Sequence, residues 1–330
     1  MNSWTGGKAD GNGDGNSGGT WDYDSTILAL HEPGLADDCF RLAPRYDPPA
    51  LCAEMARLVY CADLDRVTTA LRRAGFGSPS WFRAAGTDAF LAHDRDHAVL
   101  AFRGTEGPKL QRLIDPARMQ RVFQQSGLDW QETLRRLFAG SLPDLHEAMD
   151  RVLLECQDLF TDLDALPQSW PAGGKVHRGF VHALDRVWRQ IESQLDGLDM
   201  PVLYTGHSLG AALATLAASR RPPDTLYTFG SPRVGDAAFG ATLTRTVVYR
   251  YVNCCDVVTR LPPAVYQPAG TLRYIDSNGR LSDREEDEAA RLRARSAHFE
   301  KTLGQWDKVW IRDLVDHAPV NYVKALLAAQ

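Results

Sequence analysis

The chain has 330 residues, 44% hydrophobic and 24% charged, enough apolar material for one domain with additions or two small ones. A formal charge of −5 provides no basic excess of the kind that holds a nucleic-acid backbone, so no nucleic-acid partner is expected. No apolar run approaches the roughly 18 residues of a spanning helix, and MNSWTGGKADGNGDGNSGG at the start lacks the apolar core of an export signal. The expectation is therefore a chain without a transmembrane segment, cytoplasmic by default.

Residues 1–20 are rich in Gly, Asn, Asp and Ser and read as a flexible tail, ahead of a single domain over 21–330. Asp10, Asn12, Asp14 and Gly15 match the opening of a calcium loop, but the place of its closing Glu is taken by Trp21, so no metal site is expected there. A helix begins at Pro49, with Leu51, Met55, Leu58 and Val59 at helical spacing. His93-Asp94-Arg95-Asp96-His97 reads as a surface turn rather than a metal cluster, because the buried strand AVLAF (98–102) follows at once.

A helical insert is expected from about 107 to 157. It carries Trp130, Leu134, Leu137 and Phe138 behind Asp129, then Leu145, Met149, Val152, Leu153 and Cys156 behind Pro143. After it come a helix with Phe180, Leu184, Val187, Trp188, Ile191 and Leu195 on one face, a strand at 201–206, an Ala-rich helix at 209–219, and strands at 225–229 and 247–253. Ser277-Asn278-Gly279 predicts a hairpin with a type I′ turn. Residues 283–301, with both charge signs interleaved, read as a solvated helix laced by i,i+4 pairs. Alternation of strands and helices argues for an α/β fold, a mainly parallel sheet flanked by helices. Six cysteines lack C-x-x-C spacing and read as a reduced set.

Gly206-His207-Ser208-Leu209-Gly210 fits G-x-S-x-G between a strand and a helix, the setting of a nucleophile elbow in an α/β-hydrolase. A serine hydroxyl needs a base, and in this fold the acid and then the histidine follow the serine along the chain. Only His298 and His317 come after Ser208; His298 sits in the charged run and reads as an exposed helix residue, so His317, before Pro319, is favoured. Among the acids, Asp224 precedes a strand, Asp276 belongs to the hairpin and Asp236 reads as a helix cap. Asp256 directly follows a strand, at the carboxyl end where such sheets place their sites, and is favoured. His207, His177 and the Cys254-Cys255 pair read as locally packed groups.

Several segments in order resemble the class 3 (fungal-type) lipase family: Ala101-Phe102-Arg103-Gly104-Thr105, Val176-His177-Arg178-Gly179-Phe180, the elbow, Thr228-Phe229-Gly230-Ser231-Pro232-Arg233-Val234-Gly235-Asp236, Asn253 to Asp256 with Leu261-Pro262-Pro263, and His317 with Tyr322. The resemblance implies an α/β-hydrolase fold, a Ser208, Asp256, His317 triad, and an oxyanion hole from Thr105 and the N–H of Leu209. It implies a carboxylic ester hydrolase, most simply an acylglycerol lipase, working without cofactor on a lipid or small ester. Phospholipase A1, a general carboxylesterase and a catalytically silent interaction scaffold are the alternatives, and delivery by a dedicated secretion machine stays open. About fifty residues stand where the family has a short lid. A cap over Ser208, lined by Trp130, Leu134 and Phe138 and making transient contact with lipid surfaces, is expected from them.

Overall fold

The computed structural model describes residues 21, 23–35, 46–104, 166–262, 265–302, 305 and 307–330. The tail and calcium-like loop of 1–20, the insert with Trp130, Leu134 and Phe138, and Thr105 all lie outside the described residues.

Helices α1 (Ile27–His31), α2 (Pro48–Leu58) and α3 (Leu64–Arg73) come first, then strands β1 (Ser80–Ala84), β2 (Thr87–His93) and β3 (Ala98–Phe102). Past the insert lie β4 (Pro167–Ser169), β5 (Lys175–His177), α4 (Arg178–Leu195), β6 (Val202–His207), α5 (Leu209–Arg220) and β7 (Thr225–Phe229). The chain continues through α6 (Ala237–Gly240), β8 (Val247–Asn253), a 3₁₀ turn (Val257–Arg260), β9 (Thr271–Ile275) and β10 (Leu281–Ser282). It closes with α7 (Glu288–Thr302), α8 (Arg312–Val315) and α9 (Pro319–Ala328).

Among the described residues, eight strands form one sheet in the order β1-β2-β3-β6-β7-β8-β9-β10, while β4 and β5 pair separately. From β3 through β6, β7 and β8 to β9 every pairing is parallel; the two ends of the sheet are antiparallel. This is the α/β-hydrolase arrangement read from the sequence, with the short apolar strands at its centre. AVLAF is buried at all five positions, because a parallel strand is covered on both faces. Leu100 and Phe102 pack with α4 and α5 through Phe180, Leu184, Leu213 and Leu216. Val99 and Ala101 face the opposite layer with Leu51, Met55 and Leu58 of α2 and Val323 and Leu326 of α9. Among the described residues no helix is long and apolar enough to cross a membrane.

Two expectations are corrected. At the hairpin, Asn278 does not enter the left-handed region; only Gly279 does, at φ 81°, and its N–H donates to the Asp276 carbonyl at 3.0 Å. The turn is thus a type I turn with a following left-handed glycine, not type I′. Asp276 causes this, since its carboxylate accepts the N–H groups of Asn278 and Arg280 at 2.8 Å each. The charged run is also not uniformly solvated: α7 buries Ala294, Arg295, His298 and Thr302. His298 donates from Nε2 to the Val309 carbonyl at 2.8 Å, and Arg295 pairs with the buried Asp313 at 2.8 Å. Its exposed pairing is i,i+3, from Arg291 to Glu288, rather than i,i+4.

Candidate active site

The site grows out of the β6–α5 junction. Ser208 sits there at φ 57° and ψ −131°, a conformation L side chains avoid and one that lifts its hydroxyl above the chain. Two glycines make the sharp junction compatible with packing. A Cβ on Gly206 would lie 2.3 Å from the Gly210 carbonyl group, and one on Gly210 would lie 2.2 Å from the Phe102 carbonyl oxygen of β3. Neither glycine has a positive φ, so each is required for close approach rather than for backbone freedom. Leu209 is the first residue of α5, so its N–H has no intrahelical acceptor one turn earlier and lies at the positive end of the helix.

Sheet geometry brings the other groups to Ser208. Asp256 follows β8 and caps the 3₁₀ turn, its Oδ1 accepting the Val258 N–H at 2.9 Å. His317 follows α8, and Pro319 opens α9 just behind it. His317 Nε2 lies 3.0 Å from Ser208 Oγ, and Nδ1 lies 3.0 Å from both Asp256 carboxylate oxygens. A carboxylate only accepts, so Nδ1 carries the proton and the Nε2 lone pair faces the serine hydroxyl. All three are buried, at 6%, 1% and 3% relative exposure for Ser208, Asp256 and His317.

Around this line stands a shell that the residue pattern alone does not reveal. Tyr322 Oη donates to Asp256 Oδ2 at 2.6 Å and accepts the Asn253 N–H at 3.1 Å. Burial and the neighbouring Asp256 charge push the Tyr322 phenol well above the ordinary range, so it stays a donor. Gly230, at φ 57°, leaves space where a Cβ would stand 2.8 Å from Asp256 Oδ2 and 2.9 Å from His317 Nδ1. Asp316, fully buried, accepts the Tyr23 hydroxyl at 2.5 Å, the Cys255 N–H at 2.9 Å and Arg312 Nε at 3.2 Å. Its backbone carbonyl accepts Asn253 Nδ2 at 3.0 Å. The residue before His317 is therefore tied to the segment that leads into Asp256.

The competing residues go elsewhere. Asp236 caps α6 through the Phe239 N–H at 2.8 Å, Asp224 accepts the Val202 N–H at 2.8 Å, and His298 is fixed to the Val309 carbonyl. His177 stacks on Phe180 with centroids 3.9 Å apart. Asp94 closes the 93–97 turn through the N–H groups of Asp96 and His97. Among the described residues, Cys254, Cys255 and Asp316 bring metal-type atoms within 4.8 Å of one another. The Asp316 carboxylate already has three donors, and hydrogen bonding to Cys254 together with burial raises the Cys255 thiol, so this is a poor metal site.

Comparison with known proteins gives this geometry a context. Residues 141–266 match the family described as Lipase (class 3). The chain is 38% identical to a lipase of Rhizomucor miehei over 123 residues, covering 32% of this chain and 34% of that protein. It is 41% identical to an Arabidopsis thaliana protein named phospholipase A(1) DAD1, chloroplastic, over 200 residues, covering 50% of this chain and 44% of the other. A secreted mono- and diacylglycerol lipase of Fusarium solani is 39% identical over 106 residues, covering 29% and 32%. The chain thus spans 32% to 44% of the length of these relatives. The crystal structure of a lipase from Rhizopus microsporus var. chinensis aligns over 68% of this chain and 71% of that one, with 21% identity and a TM-score of 0.44. Over residues 141–266 the chain is thus similar to the class 3 lipase family, and the relatives that it partly matches carry the same resemblance.

Proposed function

We propose that this chain is a serine-dependent carboxylic ester hydrolase, acting on acylglycerol-type lipid esters through Ser208, His317 and Asp256. The observation that carries the reading is the unbroken line from Ser208 Oγ through the His317 ring to Asp256, each step at 3.0 Å. His317 takes the proton from Ser208 as the hydroxyl attacks the ester carbonyl. Asp256, held by Tyr322 and the Val258 N–H, stabilises the imidazolium that forms. The Leu209 N–H supplies one oxyanion donor; Thr105, the second donor inferred by resemblance, lies outside the described residues. His317 then protonates the leaving alcohol, and water, activated the same way, releases the acyl group. None of these steps calls for a metal or organic cofactor.

Relatives bearing the names lipase and phospholipase A(1) support a lipid ester as substrate, with the phospholipid reading as the second choice. The test is a panel of acylglycerols, phospholipids and short nitrophenyl esters offered to wild type and Ser208→Ala. Hydrolysis of at least one lipid ester that Ser208→Ala loses supports the proposal. Absence of ester hydrolysis throughout, with folded protein, would leave the interaction scaffold as the better reading.

A further inference from the structure

Three arginines gather beside the acid arm of the site, and two of them carry a buried Nε–H that has no acceptor among the described residues. Arg233 lies in the loop after β7 and donates its backbone N–H to the Leu261 carbonyl at 2.7 Å. That bond sets it alongside Arg260, the last residue of the 3₁₀ turn that Asp256 caps. Three residues earlier in the same loop, Gly230 donates its N–H to the Tyr251 carbonyl at 3.2 Å, which brings the loop against β8 next to Arg250. Strand alternation puts Tyr249 and Tyr251 in the layer of α2 and α9, so Arg250 shares the opposite face with Val248, the face to which Val234, Val258 and Leu261 belong.

The Nε atoms of Arg233 and Arg250 are shielded from solvent and have no hydrogen-bond partner among the described residues. Burial, and in each case the charge of another arginine, depress both guanidinium groups below their usual value, Arg260 acting on Arg233 and Arg233 on Arg250. Among the described residues, Glu285 is the carboxylate that offsets both, and it is already shared with Arg291 at 3.3 Å. Asp313, which feels Arg260, is committed to Arg295. A buried donor left without an acceptor among the described residues marks a place for an acceptor that those residues do not supply.

We infer that Arg233, Arg250 and Arg260 form a binding site for a phosphate oxyanion. A guanidinium group is planar, permanently charged and weakly hydrated, and several of them suit the multiple oxygens of a phosphate better than the two of a carboxylate. The position fits a substrate subsite. Arg233 follows Gly230 by three residues, at most about 11 Å of chain, and Gly230 lies against the Asp256–His317 pair. Arg260 is four residues from Asp256 in a 3₁₀ turn, about 8 Å away. Such an anion is either the headgroup phosphate of a glycerophospholipid whose ester reaches Ser208, or free phosphate. The headgroup source rests on the ester hydrolase reading; the anion site itself does not.

The experiment titrates inorganic phosphate, with acetate as control, into full-length Ser208→Ala protein by calorimetry, and repeats it with Arg233→Gln, Arg250→Gln and Arg260→Gln added singly, after circular dichroism shows each to be folded. Saturable phosphate binding that weakens about tenfold or more in these variants is expected, and should be retained in Arg72→Gln, an exposed arginine of α3. In parallel, kcat/KM is measured in the Ser208 background on a phosphatidylcholine and on a diacylglycerol with the same acyl chains. A fall in the phospholipid-to-diacylglycerol ratio in the arginine variants assigns the site to the headgroup; phosphate binding with an unchanged ratio assigns it to free phosphate. No phosphate binding by the Ser208→Ala protein, equal binding of acetate, or binding indifferent to all three arginines would overturn the inference, whether or not the enzyme hydrolyses esters.

Discussion

His207 donates its Nε2–H to the backbone carbonyl of His317 at 2.7 Å, so the residue preceding the elbow serine holds the histidine that faces it. A carbonyl cannot donate, and burial with the neighbouring His317 keeps the His207 ring neutral, so Nδ1 is left as acceptor for the Tyr60 hydroxyl at 2.9 Å. We expect Tyr60→Phe and His207→Gln to lower kcat about tenfold or more while KM changes little, because they misplace the base without touching bound ester. Steady-state kinetics on a short nitrophenyl ester checks this; a change confined to KM would contradict it.

Gly230→Ala is expected to lower kcat/KM by at least about 100-fold, since the new methyl group would press on both Asp256 and His317 at a left-handed backbone position. Gly75 is the control, also left-handed at φ 89° but with nothing within 4 Å of the place a methyl group would take. Gly75→Ala should cost about 1 kcal/mol in urea denaturation and leave kcat/KM at the wild-type value.

Tyr322→Phe removes one donor from Asp256 and leaves the Asn253 N–H without its acceptor. The expected result is a stability loss of about 1 to 3 kcal/mol and a kcat reduced about 10- to 100-fold. Both are read on the same purified protein, by denaturation and by ester kinetics.

The core strands at 98–102, 225–229 and 247–253 are legible in the sequence because their apolar residues are confined to short runs bounded by turn residues, and burial on both faces leaves no alternation to confuse. Ser208 and Asp256 are legible from chain order and from their places at strand ends, and His317 from chain order and the proline two residues behind it. The bonds of Tyr60, Asp316 and Tyr322 are not, because their partners are 147, 61 and 66 residues away, and spacing along a chain carries no information about such contacts. The burial of His298 is hidden by the charged residues around it, which mask the one face of α7 that packs inward. At the hairpin, Asn-Gly alone points to the wrong turn, because the carboxylate of Asp276 does the selecting.

Stability should fall on acidification below the ordinary histidine range. Burial lowers the folded-state pKa of His207 and His298, so the unfolded chain binds more protons below about pH 6.5, and the stability present above that value is lost as pH falls, at up to about 1.4 kcal/mol per unit for each group. At the other end, burial raises Tyr23 and Tyr322; their contribution is present below about pH 10 and lost as pH rises past it. Urea midpoints between about pH 5 and pH 8 test the acid limb, and His207→Gln should flatten it.

The most direct measurement is active-site labelling with a fluorophosphonate, which reacts only with a serine activated by its neighbours, followed by intact-mass analysis and peptide mapping. A single adduct on the peptide carrying Ser208 is expected, absent in Ser208→Ala and strongly slowed in His317→Ala and Asp256→Ala, with hydrolysis of a short nitrophenyl ester lost in parallel by about 10⁴-fold or more. Labelling at another residue, or ester hydrolysis that survives in Ser208→Ala, would contradict the assignment.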